Sequence, residues 1–579
     1  MTGINLQSVP TACLASAAAG VAFHGVVQYI ELDLILLHAL VAASFLLPAL
    51  IYIDINVYDS TLQFSTLKLA CFAFGLTSSI LVYRAFFHRL RRFPGPFAAR
   101  LSKLYAVSLS TGLRYNIELQ KLHQKYGDIV RTGPRELSII RPSAIPAIIE
   151  CPKNYFYQHT DWRSDHVGLA ETRDIEDHQR RKRGWDRALN LKSIEKYEAA
   201  IQNAISDLLE VFSSTGGKPF DVTQGMLWLA YDVMGIVGFS RDFGQVRTRG
   251  GDKSMAAMRE QMKILGFMKH IPWLINVILN IPGVTGMSGF LRKCRQLAEE
   301  KQKVQLFPPP STASIFAPST WNPDDKSSAT QDIISWLLHA YETKASYAPP
   351  TLQALDEDTR VTILAGSDTT AGTLANIIYY LTLHPHTYTA LQTRLATLFP
   401  DGPRTFSYAT LARSPAGKPA LALLDAIIAE TLRLKPAIPS GNGRTTPPQG
   451  VVLPDGTRLP GSVDVWMPQY VMQRDARHFV EPDAFVPERW MEGSGKEGWV
   501  KERSAWWPFY SGMYACPGKQ MAYLEMRSVV ARMALGFDLK RPGEGEVGAE
   551  DWGRFEEETL DTFTLTVAPL RLCFVERGV

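Results

Sequence analysis

Residues 509–518 read Phe-Tyr-Ser-Gly-Met-Tyr-Ala-Cys-Pro-Gly. Cys516 stands between Gly512 and Gly518, with Phe509 seven residues before it. The segment that follows, KQMAYLEMRSVVARMAL (519–535), has helical character. Cys516 is therefore expected on a loop at a helix N-terminus, where the helix dipole and free backbone N–H groups favour a thiolate. Glycines on both sides let the backbone approach a flat partner closely. A lone cysteine is more often an inert buried thiol, so the neighbouring motifs decide between the two readings.

Three such motifs lie upstream. Ala365-Gly-Ser-Asp-Thr-Thr370 falls inside a long helical pattern, about 352–383. Gly366 is expected to let that helix pass close to a bound group and kink locally. Asp368 and Thr369 form an acid–alcohol pair suited to relaying protons. The plainer alternative is a helix surface on which both are solvated or back-bonded. Glu430-Thr-Leu-Arg433 places a carboxylate and a guanidinium on one helix face. Phe485-Val-Pro-Glu-Arg-Trp490 follows. From Thr369 to Glu430 is 61 residues and from Glu430 to Cys516 is 86.

In this order and at these intervals, the four motifs resemble those of the cytochrome P-450 superfamily, over roughly residues 93–579. The resemblance implies a mainly α fold with minor β (α+β) and a long central helix over heme b. It implies Cys516 as the axial iron ligand, in a loop that includes Phe509, Gly512 and Gly518. Gly366, Asp368 and Thr369 become the oxygen-activation residues. Glu430, Arg433 and Arg489 become a buried network that helps hold the cysteine loop. Arg444, in GNGRTTPP (441–448), stands at a propionate-binding position. In DIEDHQRRKRGWDRAL (174–189), His178 and Lys182 fall at two more, with Lys182 where arginine is usual. Two residues before the cysteine, where the family commonly has Arg or His, this chain has Tyr514; Met513 replaces a commoner proline. Tyrosine can donate one neutral hydrogen bond there but no charge. The basic run Arg180–Arg183 reads partly as a solvated face and partly as a docking face for an acidic electron donor.

Composition locates the rest. The chain has 579 residues, 46% hydrophobic, with 61 basic and 57 acidic side chains. This excludes a disordered or collagen-like chain, and a net charge of +4 gives little support to nucleic-acid binding. Six scattered cysteines form neither a disulfide framework nor a zinc spacing. Residues 1–67 hold four acids and no Lys or Arg. Apolar stretches occupy 11–30, 34–53 and 69–83; the middle one is long enough to span a bilayer. Lys68 and Arg84 are expected to snorkel and extend the third. Arg84, Arg89, Arg91, Arg92, Arg100 and Lys103 then arrive with no acid among them, so that edge faces the cytoplasm. Residues 1–92 are thus read as a membrane anchor of up to three transmembrane helices. Residues 93–97, around Phe93-Pro-Gly-Pro96, are read as a stiff hinge, and 98–579 as one catalytic domain.

Within that body, strands are expected at 128–132 and 136–140, in 450–466 and in 561–576. Helices are expected at 144–151, 174–214, 221–240, 252–280, 288–306 and 331–343, and a Pro/Ser/Thr-rich loop at 308–330. By resemblance, pocket walls come from 158–172, 255–282, the segment before Ala365, 437–443 and 561–567. The implied function is that of a microsomal monooxygenase of fungal type. It would oxidise an apolar small molecule in specialised metabolism, from the endoplasmic reticulum membrane with its catalytic domain cytoplasmic. Its partners would be membrane lipid, an NADPH-cytochrome P-450 reductase and, as an optional second donor, cytochrome b5. Two alternatives stay open: a heme-thiolate isomerase or dehydratase needing no dioxygen, and a non-catalytic membrane heme protein.

Overall fold

The computed structural model describes residues 8–28, 36–158, 166–250, 253–274, 287–306 and 332–578. The anticipated loop at 308–330 lies outside these, as do parts of two expected pocket walls.

Three apolar helices come first, Ser8–Val27, Leu36–Val57 and Leu62–Val82. The third starts earlier than its uncharged stretch. It takes in Lys68, which pairs with Asp54 of the second helix at 2.5 Å rather than snorkelling outward. The first and third helices run parallel at very close approach. A Cβ on Gly20 would lie 2.2 Å from the Phe72 carbonyl oxygen, and one on Gly75 would lie 2.1 Å from that of Ala17. Small residues permit this contact between backbones. His24 Nδ1 and Ser79 Oγ, 2.8 Å apart, join the same pair of helices. Leu14, Phe45, Leu46, Leu50 and Phe74 are left bare. The helix Val222–Phe239 is also apolar and long enough to cross a bilayer, yet nearly all of it is buried within the body. Apolar all round, it is a core helix rather than the amphipathic one expected.

The hinge motif is stitched to the body. The Arg131 amide donates to the Pro94 carbonyl at 2.7 Å, and a Cβ on Gly95 would lie 2.4 Å from the Arg131 carbonyl oxygen. Leu90 and Phe93 are buried in the same cluster as Ile129 and Leu137, so the body's packing begins before residue 93.

The body is mostly helical. β1 (Ile129–Gly133) and β2 (Glu136–Ile139) form an antiparallel hairpin. β3 is Phe220–Asp221, β4 Arg444–Thr445, β5 Val451–Val452, β6 Arg458–Leu459 and β7 Asp464–Trp466. β8 is Phe537–Lys540, β9 Leu560–Thr562, β10 Thr564–Thr566 and β11 Arg571–Glu576. One sheet has the order β1-β2-β7-β4, with β2 and β7 parallel. This pairing carries residues 440–446 to the side of the chain's early segment. A second sheet, β3-β11-β8, closes the far end.

The main core surrounds the central helix Leu352–Leu383, which packs on Val222–Phe239. Leu191–Ser214, Lys418–Leu434 and Lys519–Gly536 complete it. The last of these is the helix that follows Cys516.

Candidate active site

A cavity of about 870 Å³ lies between the central helix and the cysteine loop. Cys516, Phe509, Gly518, Asp368, Thr369, Gly366, His178, Lys182, Arg444 and Tyr514 all line it. One fold thus gathers segments separated by more than three hundred residues.

On the cysteine wall the loop turns back on itself. The Cys516 amide donates to the Phe509 carbonyl at 2.9 Å. Gly512 has φ +61°, which favours glycine; a Cβ there would meet nothing closer than 3.9 Å, so conformation rather than space selects it. Gly518 caps the helix Lys519–Gly536, placing Cys516 before its N-terminus as the motif predicts. Burial raises the Cys516 thiol; the Gly518 amide, the Lys182 charge and the Lys519 amide act against it and favour thiolate.

Behind this loop, Glu430 accepts from Arg433 Nε and Nη2 at 2.9 and 2.8 Å, from Arg489 Nε at 3.1 Å and from Trp490 Nε1 at 2.8 Å. The Val486 amide donates to it at 2.9 Å. Arg433 also donates to the carbonyls of Gln473, Pro482 and Ala484, and Arg489 to those of Val480 and Glu481. All three charged side chains are fully buried. Trp506, which donates to the Ala429 carbonyl at 3.1 Å, joins this cluster to the chain entering the cysteine loop.

On the opposite wall the central helix runs unbroken through Gly366. The missing side chain makes room for Met234: a Cβ would lie 2.0 Å from its sulfur. Thr369 Oγ1 donates to the Ala365 carbonyl at 2.6 Å, leaving its oxygen able to accept a proton donor. Burial pushes the Asp368 carboxyl up to about 6, against the pull of Arg259 and Tyr231. Its Oδ1 is buried without a hydrogen-bond partner. Asp368 also borders a second, very small cavity with Arg259, Thr223 and Thr566, so it faces two spaces at once.

The basic helix Ile175–Ala188 behaves differently from its sequence. Arg181 is buried and pairs with Asp358 of the central helix at 2.9 Å. Arg180 donates to the carbonyls of Ser346 and Ala348. Of the run Arg180–Arg183, Arg183 is exposed and Arg180 and Lys182 are partly so. Lys182 reaches the cavity wall, where its ammonium donates to Asp186 at 2.7 Å. His178 is buried, its ring 4.5 Å from that of Tyr514. Arg444 lies over the Tyr514 ring at 4.1 Å.

Four cavity residues carry no signal in the motifs. Lys153 lies over the Tyr514 ring at 5.3 Å, and Tyr157 is beside it. Met234 belongs to the helix behind Gly366. Glu525 is the sole acid between 519 and 535, which is the one hint it offers. Burial pushes its carboxyl up to about 8, and its Oε1 is buried without a partner. Apolar side chains fill much of the remaining wall, among them Phe156, Val237, Met262, Leu265, Leu364 and Phe563, while Glu171, Glu357 and Arg360 add charge at one side.

The cytochrome P450 family profile matches residues 96–555. The chain is 34% identical to cytochrome P450 monooxygenase orf5 of Eupenicillium brefeldianum, covering 88% of this chain and 96% of that protein. It is 33% identical to cytochrome P450 monooxygenase FCK2 of Fusarium pseudograminearum, covering 94% of each. It is 30% identical to tryprostatin B 6-hydroxylase of Aspergillus fumigatus, covering 83% and 81%. Among solved structures, a cytochrome P450DA heme domain superposes with a TM-score of 0.62 at 16% identity, covering 82% of this chain and 95% of that one. Family and fold imply a heme iron held by a cysteine thiolate. The cavity fits such a group: Cys516 lines it, and so do Lys153 and Arg444, two buried cations with no carboxylate within ion-pair distance among the described residues. The chain therefore belongs to the cytochrome P450 family and is a cytochrome P450 monooxygenase.

Proposed function

We propose that this protein is a membrane-anchored monooxygenase of specialised metabolism. It inserts one oxygen atom of dioxygen into an apolar small molecule, and the other leaves as water. One observation carries the reading: a single cavity has Cys516 on one wall, Asp368 and Thr369 on the other, and apolar side chains between them. Heme b, ligated by Cys516, supplies the dioxygen-activating chemistry when bound there.

The chain's own residues do the rest. The apolar walls bind and orient substrate and exclude bulk water. Asp368 takes up protons from the side of Arg259 and hands them toward Thr369, whose hydroxyl oxygen accepts and passes them on. An intact acid–alcohol pair favours this over an isomerase, dehydratase or passive heme carrier, none of which consumes protons in that way. The Glu430 cluster keeps the cysteine loop in place.

Electrons come from a separate NADPH-cytochrome P450 reductase, with cytochrome b5 as an optional second donor. Exposed Arg183 and Arg187, on the helix beside the cysteine loop, suit an acidic donor surface. The three leading helices anchor the protein in the endoplasmic reticulum membrane. Their bare apolar faces and the basic cluster after residue 84 support three spans with the body cytoplasmic.

The test is turnover in microsomes with reductase, NADPH and a panel of apolar substrates, read by mass spectrometry. Products heavier by one oxygen atom, dependent on NADPH and dioxygen, are expected. Product formed without either would favour the isomerase reading.

A further inference from the structure

Position 514 offers a phenol where the family usually offers a cation, and the structure shows which group stands in. Lys153 and Arg444 are brought side by side by an antiparallel bridge between their strands. The Thr445 amide donates to the Pro152 carbonyl at 2.8 Å, and the Asn154 amide to the Gly443 carbonyl at 3.2 Å. Gly443 is required for this approach, since a Cβ there would lie 2.3 Å from the Asn154 side chain. Both side chains are buried and both line the cavity that holds Cys516.

Neither has a carboxylate within ion-pair distance among the described residues; the two acids that act on Lys153, Glu171 and Asp358, are paired with Arg360 and Arg181. Lys153 Nζ donates to the Leu169 carbonyl at 2.8 Å and lies 3.3 Å from His178 Nδ1, which leaves one of its three donors unused. Arg444 makes one long bond to its neighbour's carbonyl at 3.3 Å, and its Nε is buried without a partner. The Tyr514 hydroxyl is buried and unpartnered on the same wall. Burial and the Arg444 charge push the Lys153 ammonium well below the ordinary lysine range. Burying two cations without an anion is expensive, whereas a carboxylate placed between them meets prepared donors.

We propose that Lys153 is a heme-propionate ligand, supplying with Arg444 the positive charge that Tyr514 does not. Tyr514 acts as a platform: its ring holds both cations, and its hydroxyl adds a neutral donor. Lys182, committed to Asp186, is not needed for this role. The proposal rests on the heme-thiolate reading above.

The experiment measures heme transfer from the purified full-length protein to excess apomyoglobin, alongside the reduced carbon-monoxide spectrum. Lys153→Met should release heme about tenfold faster, the weight of one hydrogen bond to a charged group. Lys153→Arg should hold heme as the parent does. Lys153→Met/Tyr514→Arg should regain most of the lost retention, because the charge returns to the usual position. The reduced carbon-monoxide spectrum taken before transfer begins separates a folding defect from a ligand defect: a ligand variant starts with the parent's red-shifted band and differs only in how fast it loses heme. Parental retention in Lys153→Met, or a faster release that Tyr514→Arg fails to correct, overturns the proposal. A parent protein without the red-shifted thiolate Soret band overturns the monooxygenase reading itself, and the ligand proposal with it.

Discussion

The two walls of the cavity solve opposite problems. On the cysteine wall the buried charges behind the loop are committed to one another: Glu430 alone accepts five hydrogen bonds from four residues. On the central-helix wall the polar groups are few and partly uncommitted, with Asp368 Oδ1 unpartnered and Thr369 bonded only to its own helix. A ligand to a metal must hold one geometry, and a dense network rigidifies it. A proton carrier must exchange partners, so a fully satisfied carboxylate would be useless there.

The sharpest way to break this contrast is at its centre. Cys516→Ala should abolish the red-shifted band of the reduced carbon-monoxide complex outright. An unchanged spectrum would remove Cys516 as the iron ligand.

Next in size is the network. Glu430→Ala leaves two buried guanidiniums without their carboxylate and should cost about 3–5 kcal/mol of stability. Denaturant unfolding of the holoprotein measures it, and a loss below 1 kcal/mol would show that the cluster is not what holds the loop.

The opposite wall should respond in chemistry rather than in stability. Thr369→Ala is expected to melt as the parent does but to release a larger share of consumed dioxygen as peroxide. Fully coupled turnover in that variant would refute the relay. Asp368→Asn should slow product formation by about a hundredfold, within the usual range for a proton-transfer group. The Asp368 proton is lost as pH rises through about 6, so parental turnover should fall across that window. The variant should be flat there.

The smallest expected effect concerns Glu525, the unsatisfied carboxyl on the cysteine helix. Its folded pKa, about 8, lies above the unfolded carboxylate value, so the folded state holds the extra proton. Its contribution to stability is fully present at low pH and is lost as pH rises from the unfolded pKa toward about 8. Glu525→Gln should flatten that slope in melting curves taken between pH 5 and 8. An identical slope in both proteins would place a partner on Glu525.

Much of this was legible in the chain. The order and spacing of Asp368, Glu430, Arg489 and Cys516 specify the family, because each motif serves a local need: a helix, a paired face, a turn before a helix. The early hairpin β1–β2 and the apolar leading helices follow from period and composition. The buried helix Val222–Phe239 does not. By length and composition it too could cross a bilayer, though it is less apolar than Leu36–Val57, and the elements packed around it settle the matter.

Lys153 marks the same boundary. Nothing in Cys-Pro-Lys-Asn (151–154) signals a binding residue. Its meaning arises when β4 brings Arg444 alongside and Tyr514 slides its ring beneath both. Lys182 shows the converse, matching a motif position yet turning to Asp186, four residues along its own helix. The sequence by itself determined the fold family and singled out Cys516 as the proposed iron ligand and Asp368–Thr369 as the proposed relay, since these rest on spacing along single elements. Which cations face the cavity, and which helix is core rather than anchor, was decided by tertiary structure, because charge partners and burial are properties of neighbours far apart in the chain.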